Sequence, residues 1–269
     1  MTNKISLYSA LAILGFWLFT TASVYTMPWF GSHIDLQQMF SAPTSLEWFG
    51  NDDLGRSIGN RVMRGAATSI TVAFSVVFVT VLIGTSFGVL IAWFGNLVDM
   101  VGVRVIDIFL AFPGILLAIA LAAVLGPGID NVIIALVAVS WVGFARLARA
   151  QTLSVKKRDH VQVAIAMGTP TVTIIRKHIL PLIAAPLIVE ATFAIAAVIV
   201  AEAGLSFLGL GVQPPTPSWG SMIKQGTQYL LIAPHMVLAP GVALFSMVYA
   251  INILGDKLRD HLQVRENQL

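Results

Sequence analysis

Residues 69–95 read SITVAFSVVFVTVLIGTSFGVLIAWFG, a stretch without one charged side chain. A bilayer core of about 30 Å is crossed by roughly 20 mostly apolar residues in a helix. This run is long enough, so it predicts a membrane-spanning helix. Five other runs carry few or no charges: Ile5–Met27, Ile106–Gly126, Val132–Ala145, Leu182–Gly204 and Ile232–Gly255. The fourth of the six is short. Asn131 extends it at one end, and snorkelling arginines extend it at the other. The first run is long for a leader peptide, and no small-x-small cleavage site follows it, so it reads as a retained helix. The expected fold class is therefore all-α, integral to the membrane, with six spans.

Composition agrees with that class. Of 269 residues, 57% are hydrophobic and 11% charged, against about 25% charged in soluble domains. Cysteine is absent, which excludes disulfide scaffolds, thiolate metal sites and cysteine nucleophiles. The net charge of +3 is a topology signal rather than a nucleic-acid patch, because cytoplasmic loops are enriched in Lys and Arg. With the amino terminus inside, the inner segments hold Lys4, Arg104, the cationic block from Arg146 to Lys177, Lys257, Arg259 and Arg265. The outer ones hold Arg56, Arg61, Arg64 and Lys224. Both termini are then cytoplasmic. The organisation expected is a first helix with an outer segment over 1–68. A five-helix core over 69–269 follows, containing an inner loop at 146–181.

That loop carries the most information. Gly168-Thr169-Pro170 reads as a helix stop and restart: Gly168 left-handed at the end, Thr169 as the next cap, Pro170 in its first turn. Val161, Ala164, Ile165 and Gly168 share a face by helical spacing. Such a corner either enters a groove on a partner, lies on the membrane, or packs under its own helices.

Several residues invite a role. Asp107 sits three residues after Arg104, a helical neighbour spacing, and reads as a structural pair at a helix start or as part of a gate. Glu190 and Glu202 lie in the fifth span, where carboxylates usually face an interior or a water-filled path. Twelve residues of helix separate them by about 18 Å, so they cannot share one ion. Pro113, Pro186, Pro234 and Pro240 are candidate kinks. Gly84 and Gly88 form a small-xxx-small step that suits close packing within the chain. His33, His160, His178, His235 and His261 are scattered, and no metal site is expected.

Several stretches resemble the permeases of ABC importers, in the dipeptide, oligopeptide and nickel branch. Residues 161–168, then Ile174 and His178-Ile179-Leu180-Pro181, are similar to that family's EAA loop. Phe49 to Ser57 and the set Arg104, Asp107, Leu110, Ala111, Phe112 and Pro113 resemble two further motifs. The stretch from Ser206 to Pro215, with Pro217-Ser218-Trp219-Gly220, is the most specific. Gly255-Asp256 and Leu258-Arg259-Asp260 resemble the carboxyl end. Departures are Gln162 for the usual Glu, Val163 for Ala, Asn51 for Thr and Ser57 for Asp.

The resemblance implies a six-helix type I importer fold in a bacterial inner membrane, and a non-catalytic subunit for peptide or nickel uptake. It implies a second homologous permease, two ATPase subunits carrying ATP and magnesium, and an outer binding protein. No cofactor is expected on this chain. It contains no Gly-Lys dipeptide, so it has no Walker A loop. Gln162, Val163, Ala164, Gly168, Ile174, His178 and Pro181 would form the ATPase-coupling loop. Asp107, Glu190 and Glu202 are candidates for the path or gate. Asp52, Asp53, Gln213 and Trp219 are candidates for outer contacts. Two other readings remain at this stage: an intramembrane hydrolase using Ser206 and His235, and an ion-driven transporter using Glu190 and Glu202.

Overall fold

The computed structural model describes residues 2–26, 33–45 and 47–266. Met27 and Pro28, where the first span was expected to end and the outer segment to begin, lie outside them. So do the side chains of Lys4 and Arg265. The α-helical elements of the described residues are α1 (Thr2–Thr26), α2 (Ile58–Phe94), α3 (Asn96–Leu110), α4 (Gly114–Leu125), α5 (Ile129–Val155), α6 (Asp159–Ala166), α7 (Thr171–Ile174), α8 (Leu180–Leu208), α9 (Trp219–Thr227) and α10 (His235–Glu266). A π-helical turn, Ile175–Ile179, fuses α7 to α8. Among the described residues, five helical stretches are long and apolar enough to cross a membrane, or six if α3 and α4 together make one span.

The third expected span needs correction. Residues 106–126 are not one helix. α3 and α4 meet at an 80° bend, because Pro113, extended at φ −59° and ψ 117°, stops the helical path and starts α4 instead. A proline ring leaves the preceding residue little room in helical conformation. Asp107 is consequently in the last turn of α3, not at a helix start. Asp107 and Arg104 are both exposed, and among the described residues no ion pair joins them. The acid in the first turn of α3 is Asp99. It takes Arg149 of α5 in a two-pronged contact at 2.6 and 2.7 Å, a geometry that fixes orientation as well as charge.

α2 and α5 form the most extensive helix pair. Gly84 and Gly88 make this approach possible, and the step lies inside the chain. A Cβ at Gly84 would lie 2.7 Å from Phe144 Cβ, and one at Gly88 would lie 2.9 Å from the backbone nitrogen of Arg149. α2 runs without interruption past residue 68 and is 37 residues long, about 55 Å of helix. Its end is capped from α5: Lys156 Nζ donates to the Trp93 carbonyl at 2.6 Å and lies over the Trp93 ring. α8 and α10 pack together, α9 wedges between them and α2, and α1 closes the bundle against α10 and α2. Trp17 of α1 donates from Nε1 to Ser246 Oγ at 3.0 Å and meets Trp219 edge-on. Pro186 and Pro240 lie within α8 and α10. Pro234 does not; it precedes α10, and its carbonyl accepts the bonds of Val237 and Leu238.

The bundle has two faces. One carries the α5–α8 connection and is here named the loop face. The opposite one carries residues 33–45 and 47–57, where Asn51 and Ser57 form an antiparallel bridge, together with α9, and is here named the hairpin face.

Candidate coupling and translocation site

On the loop face, α6 and α7 meet at a corner. Gly168 holds φ +74°, and a Cβ there would meet nothing within 4 Å. The left-handed turn closes through Gly168 N–H to Ile165 O and Thr169 N–H to Ala164 O. The expected Thr169 cap is not used. Pro170 occupies the cap position, and its carbonyl accepts from Thr173 and Ile174.

The expected apolar face also divides. Val161 and Ala164 are buried and join the main core with Ile174 and Ile179. Ile165 and Gly168 face out. The outward surface at the corner is Val163, Ile165, Met167 and Val172, with Met167 76% and Val172 65% exposed. Val163 and Met167 stand four residues apart, which was the signal for this second face. Buried anchors thus hold a rigid corner whose tip is apolar and uncovered in the single chain.

The other loop residues are placed as follows. Gln162 donates from Nε2 to the Lys156 carbonyl at 2.7 Å, so it closes the α5 terminus. A glutamate could not donate there, which gives the departure at 162 a local role. His178 is half-buried, with its ring 5.9 Å from that of His160. Pro181 is exposed in the first turn of α8. Ala164 and Ile174 point inward.

The two intramembrane glutamates have opposite surroundings. Glu202 is fully buried. It accepts from Ser69 Oγ of α2 at 2.8 Å and from Ser206 Oγ at 2.7 Å. Ser206 Oγ in turn accepts from the Val212 N–H at 3.2 Å. Glu202 therefore ties α2, α8 and the 209–212 turn together inside the protein. Glu190 instead is exposed in the single chain and lines an open cavity between α5, α8 and α10.

Of the outer candidates, Asp52 and Trp219 are fully buried. Asp52 accepts from the backbone N–H groups of Leu54 and Arg56, from Arg56 Nε at 2.7 Å, and from the Arg61 guanidinium. Arg61 continues to Gln225 Oε1 of α9 at 2.7 Å. Trp219 donates to the Val62 carbonyl at 3.0 Å. Both side chains fasten the hairpin face to α2. Asp53 is partly exposed and Gln213 exposed. Ser206 and His235 do not form a catalytic pair: Ser206 is committed to Glu202, and His235 Nε2 lies 3.4 Å from the Asn51 carbonyl.

Residues 84–267 match the family described as binding-protein-dependent transport system inner membrane component. The chain belongs to that family. The permease is 43% identical over 231 residues to the glutathione transport system permease protein GsiD of Escherichia coli O1:K1, covering 86% of this chain and 76% of the relative. It is 39% identical over 253 residues to GsiD of Pectobacterium atrosepticum, covering 94% and 82%. Its fold matches the inward-facing MetNI methionine ABC transporter at a TM-score of 0.60 and 21% identity, over 74% of this chain and 95% of that one. The permease is thus the multi-pass, non-catalytic membrane subunit of an ABC importer. That class implies an ATPase and a binding protein as partners. The hydrolase and ion-driven readings are set aside.

Proposed function

We propose that the permease imports short peptides of the glutathione class, and that the corner at 159–179 receives the thrust of a partner ATPase. The observation that carries the coupling role is the apolar tip of Val163, Ile165, Met167 and Val172, exposed on a corner anchored by Val161, Ala164, Ile174 and Ile179. The cargo reading rests on the named cargo of the GsiD relatives, which favours peptide over nickel. The loop face is then cytoplasmic, with both termini on that side of a bacterial inner membrane. Two ATPase subunits carry ATP and magnesium, and a second homologous permease completes the path among membrane lipids. The binding protein docks on the hairpin face, where Asp53 and Gln213 offer polar surface. ATP binding shifts the pair between inward- and outward-open states only through contacts that differ between those states.

Uptake into sealed vesicles containing the complete transporter tests this. Labelled glutathione should accumulate saturably and only with ATP and the binding protein. Nickel accumulation without peptide accumulation would replace the cargo, and peptide uptake indifferent to ATP would refute the coupling.

A further inference from the structure

The cavity lined by Glu190 has a volume of about 450 Å³, within the range of small-molecule sites, about 300–1,000 Å³. Leu147, Pro186 and Phe193 supply apolar wall, and three polar side chains from three helices enter it: Gln151 of α5, Glu190 of α8 and Arg259 of α10. Glu190 lies ten residues along α8, about 15 Å from its start. A carboxylate at that depth is costly unless it meets water or a cation. Among the described residues, Glu190 makes no hydrogen bond or ion pair. Arg259 pairs with Asp256 on its own helix at 3.1 Å, and a guanidinium has five N–H donors, so others stay available. Glu190 and Arg259 do not neutralise each other: no ion pair joins them, though they share one cavity. A separated carboxylate and guanidinium, an amide between helices and an apolar wall match a zwitterion with an apolar body.

We propose that this cavity is a transit subsite for a zwitterionic short peptide. Glu190 takes the ammonium end, Arg259 takes a carboxylate end, and the Gln151 amide bonds the backbone. The inference rests on the peptide reading above and names where that cargo pauses on the loop-face half of the path.

The test uses the purified complete transporter, nucleotide-free and without binding protein, in detergent or nanodiscs. The probes are labelled glutathione, N-acetylglutathione, which lacks the ammonium, and the glycine-end ethyl ester, which lacks that carboxylate. Glutathione should bind saturably, and at least tenfold more weakly to Glu190→Gln and to Arg259→Gln. N-acetylglutathione should bind the wild-type complex weakly and lose nothing more with Glu190→Gln. The ester should behave likewise toward Arg259→Gln. The blocked probes act on unaltered protein, so a folding defect cannot imitate this pattern. Equal affinity of all three probes for wild type, or a further loss for each blocked probe on its matched variant, overturns the subsite. Dissociation of the complex in Glu190→Gln with normal probe ranking on wild type would assign Glu190 to assembly instead. ATP-driven glutathione uptake by the same preparation separates the two readings: uptake together with equal affinity for all three probes overturns the subsite alone, and absence of uptake overturns the cargo reading and the subsite with it.

Discussion

Gly168→Asp should abolish ATP-driven uptake while the chain still inserts and folds. The corner gives the reason for both halves of this expectation. A Cβ at Gly168 meets nothing within 4 Å, so the new side chain displaces no neighbour. Aspartate is among the residues that tolerate a positive φ such as +74°, and the local cost is on the order of 1 kcal/mol. The damage falls on the partner. In the proposed assembly the tip enters an ATPase groove, and there the carboxylate would be stripped of water without a cation to meet it. An uncompensated buried charge costs about 3–5 kcal/mol, more than a hundredfold in docking. Uptake in vesicles should fall to background at unchanged permease content, and the ATPase should elute separately from the variant. Wild-type uptake at equal expression would contradict the coupling role. Gly168→Asn, equally tolerant of the backbone but uncharged, should keep part of the activity.

Gly88→Val should deplete the folded permease itself. The position faces the backbone of α5: a Cβ would run into the Ala145 carbonyl oxygen and sit 2.9 Å from the Arg149 nitrogen. No rotamer change relieves a clash with backbone, so α2 and α5 must separate, and theirs is the most extensive helix contact. Overpacking usually costs about 1–3 kcal/mol and sometimes more; a rigid backbone neighbour puts this case at or above the upper end. Against the 5–15 kcal/mol stability typical of folded proteins, that is a large share. A fluorescent fusion should show folded, monodisperse protein reduced several-fold in size-exclusion chromatography, with a lower melting temperature for the remainder. A wild-type elution and melting profile would mean that the two helices do not approach as closely as described.

Hydropathy found the helices that cross the bundle, because burial in lipid demands long charge-free runs whatever the fold. It did not show the bend in residues 106–126 because apolar content carries no direction: the run has the right length, yet the chain turns through 80° at Pro113. The start of α2 falls within the expected outer segment because Arg61 and Arg64 interrupt the apolar pattern. Arg61 is nevertheless buried in a helix, its charge met by Asp52 and Gln225. Gln225 is 164 positions away, a relation that spacing along the chain does not show. The same distance effect hid the contrast between the two glutamates. Both are carboxylates in one helix, and Glu202 is set apart by Ser69, 133 positions away. At the corner, the break at Gly168 was legible from its residue types. The outward face was not, since α6 and its C-cap Met167 offer two apolar sides, Val161 with Ala164 and Val163 with Met167. Only the packing of α6 against the bundle selects which is buried.

The absence of cysteine from the sequence makes the most direct test of the coupling corner simple. Met167→Cys places one thiol on its exposed tip, and Gln213→Cys places one on the opposite face. Each variant, in native membranes with the complete transporter, is treated with a thiol-to-amine cross-linker, and the adducts are identified by mass spectrometry. Cys at 167 should capture a Walker-motif ATPase, with a yield that changes when ATP is added, and Cys at 213 should not. An ATPase adduct from position 213 and none from 167 would contradict the coupling role of the corner and reverse the assigned orientation.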